Sequence, residues 1–278
     1  MSRTIECAGH PRDMGFAQGR ALAEAIRAEV ARAGLATRRS RWPSLRPLVA
    51  GPLRGGGGGR ELFRHFAHQA ERLEGLAQAA ELPLDSVVAL QLRTRGASAS
   101  AFFVRESRPV VGFRSLELAC PWLVPALAGV NAAGLAVVAE WPARGEESGR
   151  DPRYADAPPL LLVQDCLARF ENVVGALDWC GKRPVEGELV LRFLDASGAG
   201  ARVVVAGRER RVERIEAVNG DDEPVLDGAF ADPARSGSSC RVQLEPRARR
   251  LRCEGLALAA GVVSFEDVLP PHDEARSE

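Results

Sequence analysis

Lysine is almost absent. Lys182 is the only one, so 36 of the 37 basic side chains are arginines. The skew fits codon bias before it fits a binding function. Net charge is absent too, since 37 acidic side chains cancel the 37 basic ones. That balance argues against broad attraction to nucleic acid or to an anionic membrane. Long apolar runs are missing: nothing reaches the roughly 18 residues that a membrane span needs. The best stretch, Leu123 to Val138, is broken by Pro125, Gly129, Asn131 and Gly134. Met1 to Gly9 has one arginine, no apolar h-region and no small-residue cleavage pattern, so it does not read as a signal peptide. The expectation is a cytoplasmic protein. Aromatic residues are only 5%, which leaves no aromatic box for a planar ligand.

Chemistry-bearing residues are also sparse. The six cysteines are Cys7, Cys120, Cys166, Cys180, Cys240 and Cys253. None forms a C-x-x-C pair, and the chain is too large to need a disulfide framework, so they read as buried reduced thiols. His65 and His68 are one helical turn apart, but no carboxylate follows at a metal-site spacing. They read as a helix surface. No metal and no cofactor is expected. What is present is a globular composition, with 46% hydrophobic and 27% charged residues over 278 positions, enough for a full-sized core.

The patterning divides the chain. Met14, Phe16, Ala17, Leu22, Ile26 and Val30 recur at helical spacing over residues 12 to 33. Gly15 and Gly19 lie on one face of that helix, which predicts a close approach by another element. Residues 36 to 60 hold six arginines, three prolines and the run Gly55 to Gly59, with no acid. They read as a loop within a single domain, and nucleic-acid binding there is the minor alternative. Helix returns from Glu61 to Glu81, then briefly from Leu84. A hairpin is expected from Ala101–Val104 and Pro109–Gly112 around a polar turn, Arg105 to Arg108. Leu127 to Glu140 gives two strands around Asn131–Gly134. A long helical region follows, Leu160 to Cys180. Glu188–Leu194 and Ala201–Ala206 form another hairpin turned by Asp195–Gly198, and Val212 to Val218 continues the sheet. Ser264 to Val268 reads as helical, and residues 270 to 278 as a flexible tail. Strands cluster between helices, an α+β layered pattern.

Several motifs occur in one order. They are Gly9-His10-Pro11-Arg12-Asp13-Met14-Gly15 through Gly19, Leu73-Glu74-Gly75-Leu76-Ala77, Gly129-Val130-Asn131-Ala132-Ala133-Gly134-Leu135, Leu194-Asp195-Ala196-Ser197-Gly198 and Ser238-Ser239-Cys240-Arg241. Together they resemble the acyl-coenzyme A:6-aminopenicillanic acid acyltransferase-like (peptidase C45) family of Ntn hydrolases, as a divergent member. The resemblance implies a four-layer αββα sandwich, here apparently shortened at its C-terminus. It also implies cleavage before a nucleophilic residue, whose freed α-amino group then serves as base. The substrate would be a small acyl amide or ester, with no nucleic-acid or membrane partner. The resemblance carries no statement of oligomeric state.

The family's usual nucleophile is a cysteine, and none lies between Cys7 and Cys120. A gapless alignment from the following strand puts Ser98 there. Aligning Gly96 instead puts Ala97 there and leaves no nucleophile. The family's Gly-x-Asn-x-Asp segment reads Gly112-Phe113-Arg114-Ser115-Leu116-Glu117. Arg114 and Glu117 are therefore candidate substrate-binding residues. Arg114 can equally pair with Glu117 or Glu140 on the surface. Asn219 matches the family's oxyanion-hole Asn, without the histidine that follows it, and Asn219-Gly220 is also an ordinary turn. Two readings stay open: an amidohydrolase or acyltransferase using Ser98 and Asn219, and a non-catalytic relative that keeps the fold as a binding module.

Overall fold

The structure, a computed structural model, describes residues 4–35, 57–92, 102–141, 157–215, 223–231, 239–258 and 261–269. Ser98, Asn219, most of the arginine-rich stretch and the 270–278 tail lie outside these. The chain opens with β1 (Ile5–Gly9) and turns at once into α1 (Pro11–Arg32). Pro11 suits the first helical turn, where its missing N–H would have no partner, and Asp13 Oδ2 accepts from the His10 backbone N–H at 3.3 Å.

Three helices follow: α2 (Gly57–His65), α3 (Ala67–Ala79) and α4 (Leu84–Leu92). The helix read from Glu61 to Glu81 is thus two, broken at Phe66, and its first turn takes in Gly57 to Gly59 from the glycine run. The glycine face of α1 does what its spacing predicts. A Cβ at Gly15 would sit 1.9 Å from the Arg72 carbonyl oxygen, and one at Gly75 would sit 1.9 Å from that of Arg12. No side chain fits between α1 and α3 at these points.

The chain then enters a sheet: β2 (Phe103–Pro109), β3 (Ser115–Ala119), β4 (Ala128–Asn131) and β5 (Leu135–Glu140). After α5 (Leu161–Arg169) and α6 (Val173–Lys182), it continues as β6 (Gly187–Asp195), β7 (Gly200–Gly207) and β8 (Glu209–Ile215). All eight strands lie in sequence order; β1 pairs parallel with β2 and the rest form an antiparallel meander. The region read as one helix from Leu160 to Cys180 is interrupted because Asn172 caps α6, its Oδ1 accepting from Gly175 N at 3.0 Å.

A second, antiparallel sheet is built from β9 (Leu226–Ala231), β10 (Ser239–Glu245), β11 (Arg250–Leu258) and β12 (Gly261–Val268). Ser264 to Val268 is therefore strand, not helix. Leu226, Phe230, Cys240, Val242, Leu244 and Leu251 bury one face against the first sheet, where Phe230 meets Phe102 with ring centroids 6.1 Å apart. The other face alternates to exposed Asp227, Arg241, Gln243 and Glu254.

The expected four-layer sandwich is thus three layers among the described residues: helices, the eight-stranded sheet and the four-stranded sheet. No described helix is long and apolar enough to cross a membrane.

Candidate functional site

Ser98 stands five residues ahead of Phe103, where β2 begins, so what fixes β2 bears on any chemistry there. β2 is not the expected hairpin. Arg105 to Arg108, read as a polar turn, is the middle of one continuous strand. The turn comes later, at Val110 to Arg114.

The polar residues fit a buried strand because they meet one another. Arg105 and Ser107 on β2 stand opposite Glu117 and Ser115 on β3 and face the helices. Arg105 and Glu117 are both fully buried and joined directly through Arg105 Nε. Glu117 also accepts from Ser115 Oγ at 2.5 Å, Gln164 Nε2 at 2.7 Å and Ser107 Oγ at 3.0 Å. Arg105 donates to Gln18 Oε1 at 2.7 Å, Gln164 Oε1 at 2.8 Å, the Leu123 carbonyl at 3.2 Å, and the Val124 carbonyl. Arg72 reaches in from α3 to Ser107 Oγ at 3.3 Å. The network ties α1, α3 and α5 to β2 and β3.

The charges follow from this geometry. Burial alone pushes the Glu117 carboxyl up, but the charges of Arg105 and Arg72, with hydrogen bonds from Ser115 and Gln164, hold it below its ordinary value. Desolvation, then the neighbouring charge of Arg105, pushes Arg72 down to about 10. Burial raises the Cys7 thiol, although Arg72 and Arg105 oppose the rise.

Glu117, expected at the substrate, is therefore committed to the core, because both its oxygens are taken and it has no exposed surface. Arg114, expected at the substrate or beside Glu117 or Glu140, instead pairs with Glu106 at 2.5 Å. Glu106 also holds Arg108 at 2.7 Å, and Glu140 pairs with Arg192 at 2.6 Å. Burial would raise the Glu106 carboxyl, but Arg108 and Arg114 together lower it.

Arg114 follows the C-terminal end of β2, whereas Ser98 precedes its N-terminal end in the sequence. Ser98 and Asn219 themselves lie outside the described residues. The described residues that flank Ser98 are Leu92 and Phe102, and those that flank Asn219 are Ile215, at the end of β8, and Glu223, ahead of β9 in the second sheet.

Asn131 in the Gly-x-Asn-x-x-Gly-Leu turn is fully used. Its Nδ2 donates to the Leu167 and Phe170 carbonyls at 2.9 and 2.8 Å, and its Oδ1 accepts from Ala133 N and Leu135 N at 3.1 and 2.9 Å. Asp195 likewise builds its hairpin, accepting from Ser197 N at 3.0 Å and Val173 N at 3.0 Å. These motif residues shape turns.

A second polar cluster was not foreseen from the sequence. His65 and His68 do not act as a pair: His65 Nε2 lies 3.0 Å from Glu61, and His68 Nε2 lies 2.7 Å from Asp165 Oδ1. Asp165 is fully buried and also accepts from Gln69 Nε2 at 2.9 Å and Trp179 Nε1 at 3.0 Å. Burial raises its carboxyl, but His68, Gln69 and Trp179 together hold it below the usual range. The sequence did carry one cue, the i, i+4 spacing of Trp179 and Arg183, which brings cation and ring together at a helix end.

A groove of about 460 Å³ opens elsewhere, where Arg192 and Glu140 meet Asp227, Arg241 and Arg252 of the second sheet. Arg192 is paired there with Glu140 and Arg252 with Glu245, so these two side chains serve the groove's own walls.

No protein-family model and no curated protein sequence matches the chain. Among solved structures it is similar to penicillin V acylase from Agrobacterium tumefaciens, at 15% identity over 56% of this chain and 70% of that one, with a TM-score of 0.39. It is also similar to two variants of conjugated bile acid hydrolase from Clostridium perfringens, each at 9% identity. The first match covers 55% of this chain and 77% of that one with a TM-score of 0.35; the second covers 58% and 82% with a TM-score of 0.36. At these TM-scores the likeness assigns no activity, and the functional reading rests on the chain's own residues.

Proposed function

We propose that the chain is a divergent Ntn-type amide hydrolase or acyltransferase acting on a small acyl amide or ester, with Ser98 as nucleophile. The observation that carries this reading is the place of Ser98 in the chain. It falls in the segment just before β2, a strand that the Arg105–Glu117 network anchors to three helices and to β3. A nucleophile needs such a rigid base, because small displacements of a reacting atom are costly in rate.

In the proposed reaction the peptide bond before Ser98 is first hydrolysed. The freed α-amino group, with an ordinary pKa of about 8, takes the proton from Ser98 Oγ. The oxygen attacks the acyl carbonyl, and Asn219 with backbone N–H groups stabilises the oxyanion. The amine leaves with the proton, and water or an acceptor amine then releases the acyl group from the serine ester. Arg114 would contact a substrate carboxylate only by leaving Glu106.

The test is turnover of simple acyl amides and esters, with capture of the acyl group on Ser98. Ser98→Ala is expected to lower the rate by about a thousandfold or more. Turnover that survives the substitution would defeat the proposal.

One observation favours the second reading, a non-catalytic binding module. Glu117 and Arg114, at the positions matched to the family's site, are spent on Arg105 and Glu106. In that case wild type and Ser98→Ala are equally inert and neither forms an acyl adduct.

A further inference from the structure

Arg169 ends α5 and Arg183 follows α6. The two guanidinium groups meet at one ring: Arg183 Cζ lies 3.7 Å from the Trp179 centroid and Arg169 Cζ lies 5.1 Å from it. Trp179 is held from below, by its bond to Asp165 and by a tilted contact with Phe170 at 5.6 Å. Two cations placed this close repel each other unless an anion lies between them.

No carboxylate of the protein takes that place among the described residues. Asp165 is nearest, but its oxygens are occupied by Gln69, His68 and Trp179. Glu171 accepts from Asn172 at 3.5 Å, Asp178 pairs with Lys182 at 2.6 Å, and Glu186 faces Arg208 at 3.6 Å. Arg183 Nε is buried with no hydrogen-bond partner among the described residues. Arg169 Nη2 lies 3.4 Å from His68 Nδ1.

We propose that Arg169 and Arg183 form a binding site for a phosphate-class oxyanion beside Trp179 on the α5–α6 surface, with His68 Nδ1, turned to Arg169, orienting that guanidinium. Guanidinium forks bind oxyanions with paired hydrogen bonds. Two forks present four or more N–H donors, which the three or four oxygens of a phosphate can spread over more fully than the two oxygens of a carboxylate. The site does not depend on Ser98, so it stands under either reading of the function.

The test titrates the full chain with inorganic phosphate at constant ionic strength, balanced with chloride, and follows heat and tryptophan fluorescence. Saturable binding is expected. Arg169→Gln and Arg183→Gln should each weaken it about tenfold or more, the scale of one lost charge-assisted hydrogen bond. Lys182→Gln, a neighbouring cation already paired with Asp178, should leave it unchanged. Circular dichroism melts establish that each variant is folded. Glycerol 3-phosphate is the second probe. Tighter binding than phosphate would identify a phosphomonoester as the ligand, and weaker binding would identify the free ion; both support the site. A response that does not saturate, that chloride or acetate reproduces, or that survives both arginine substitutions would overturn it.

Discussion

Two of the molecule's arginine pairs end differently. Inside the core, Arg105 is bonded to Glu117 and Arg72 lies in the field of the same carboxylate; hydroxyls, amides and carbonyls take most of their other donors, and Arg72 Nε is left over. Arg169 and Arg183 share Trp179 at the surface, while the buried Asp165 nearby is spent on His68, Gln69 and the indole. The first arrangement is closed and serves the fold. The second is open on its cationic side and can accept an anion. Residue type is therefore a poor guide to role here. The decisive quantity is whether the charge and donors of each group are already matched within the chain.

Removing the acid from the closed pair should have the largest effect. Glu117→Ala leaves Arg105 buried and unpaired, and a loss of about 3–5 kcal/mol is expected in a denaturant melt. A loss under about 1 kcal/mol would show that the network is not closed. Asp165→Asn should cost less, about 1–3 kcal/mol, because His68 is partly exposed and can turn to water while Trp179 keeps an acceptor.

Acid distinguishes the same groups. Glu117 and Asp165 ionise lower in the folded chain than in the unfolded one, where they titrate near about 4.3 and 3.9. Their contribution to stability is thus complete above those values and is lost as pH falls through the folded ones. The stability gap between wild type and Glu117→Gln should accordingly narrow below about pH 4, measured as melting temperature against pH. For the open pair, phosphate at ten times its Kd should stabilise wild type by about 1.4 kcal/mol. Smallest of all, Arg169→Gln without phosphate should change stability by no more than about 0.5 kcal/mol.

Local pattern was readable where it was self-contained. The glycines of α1 foretold the tight contact with α3, and alternating strands around Asn131–Gly134 and Asp195–Gly198 foretold two hairpins. Arg105 to Arg108 was misleading because polar residues look like a turn when their partners are out of view. Gln164 and Gln18 lie 59 and 87 residues from Arg105 in the chain. Ser264 to Val268 illustrates a second limit, since five residues are too few to show a period that separates strand from helix. Arg114 and Glu117 stood at motif positions that suggested substrate contacts. What decides their place is Glu106 in one case and Arg105 in the other, and neither pairing follows from spacing alone.

The contrast between matched and unmatched groups leaves Ser98, ahead of the anchored β2, as the residue on which the proposed chemistry turns. The most direct test is the intact mass of the purified full chain and of its Ser98→Ala variant. The account predicts that the wild type resolves into two fragments divided between Ala97 and Ser98 while the variant stays whole. A wild-type chain that remains uncut, and inert toward acyl amides and esters, would contradict it.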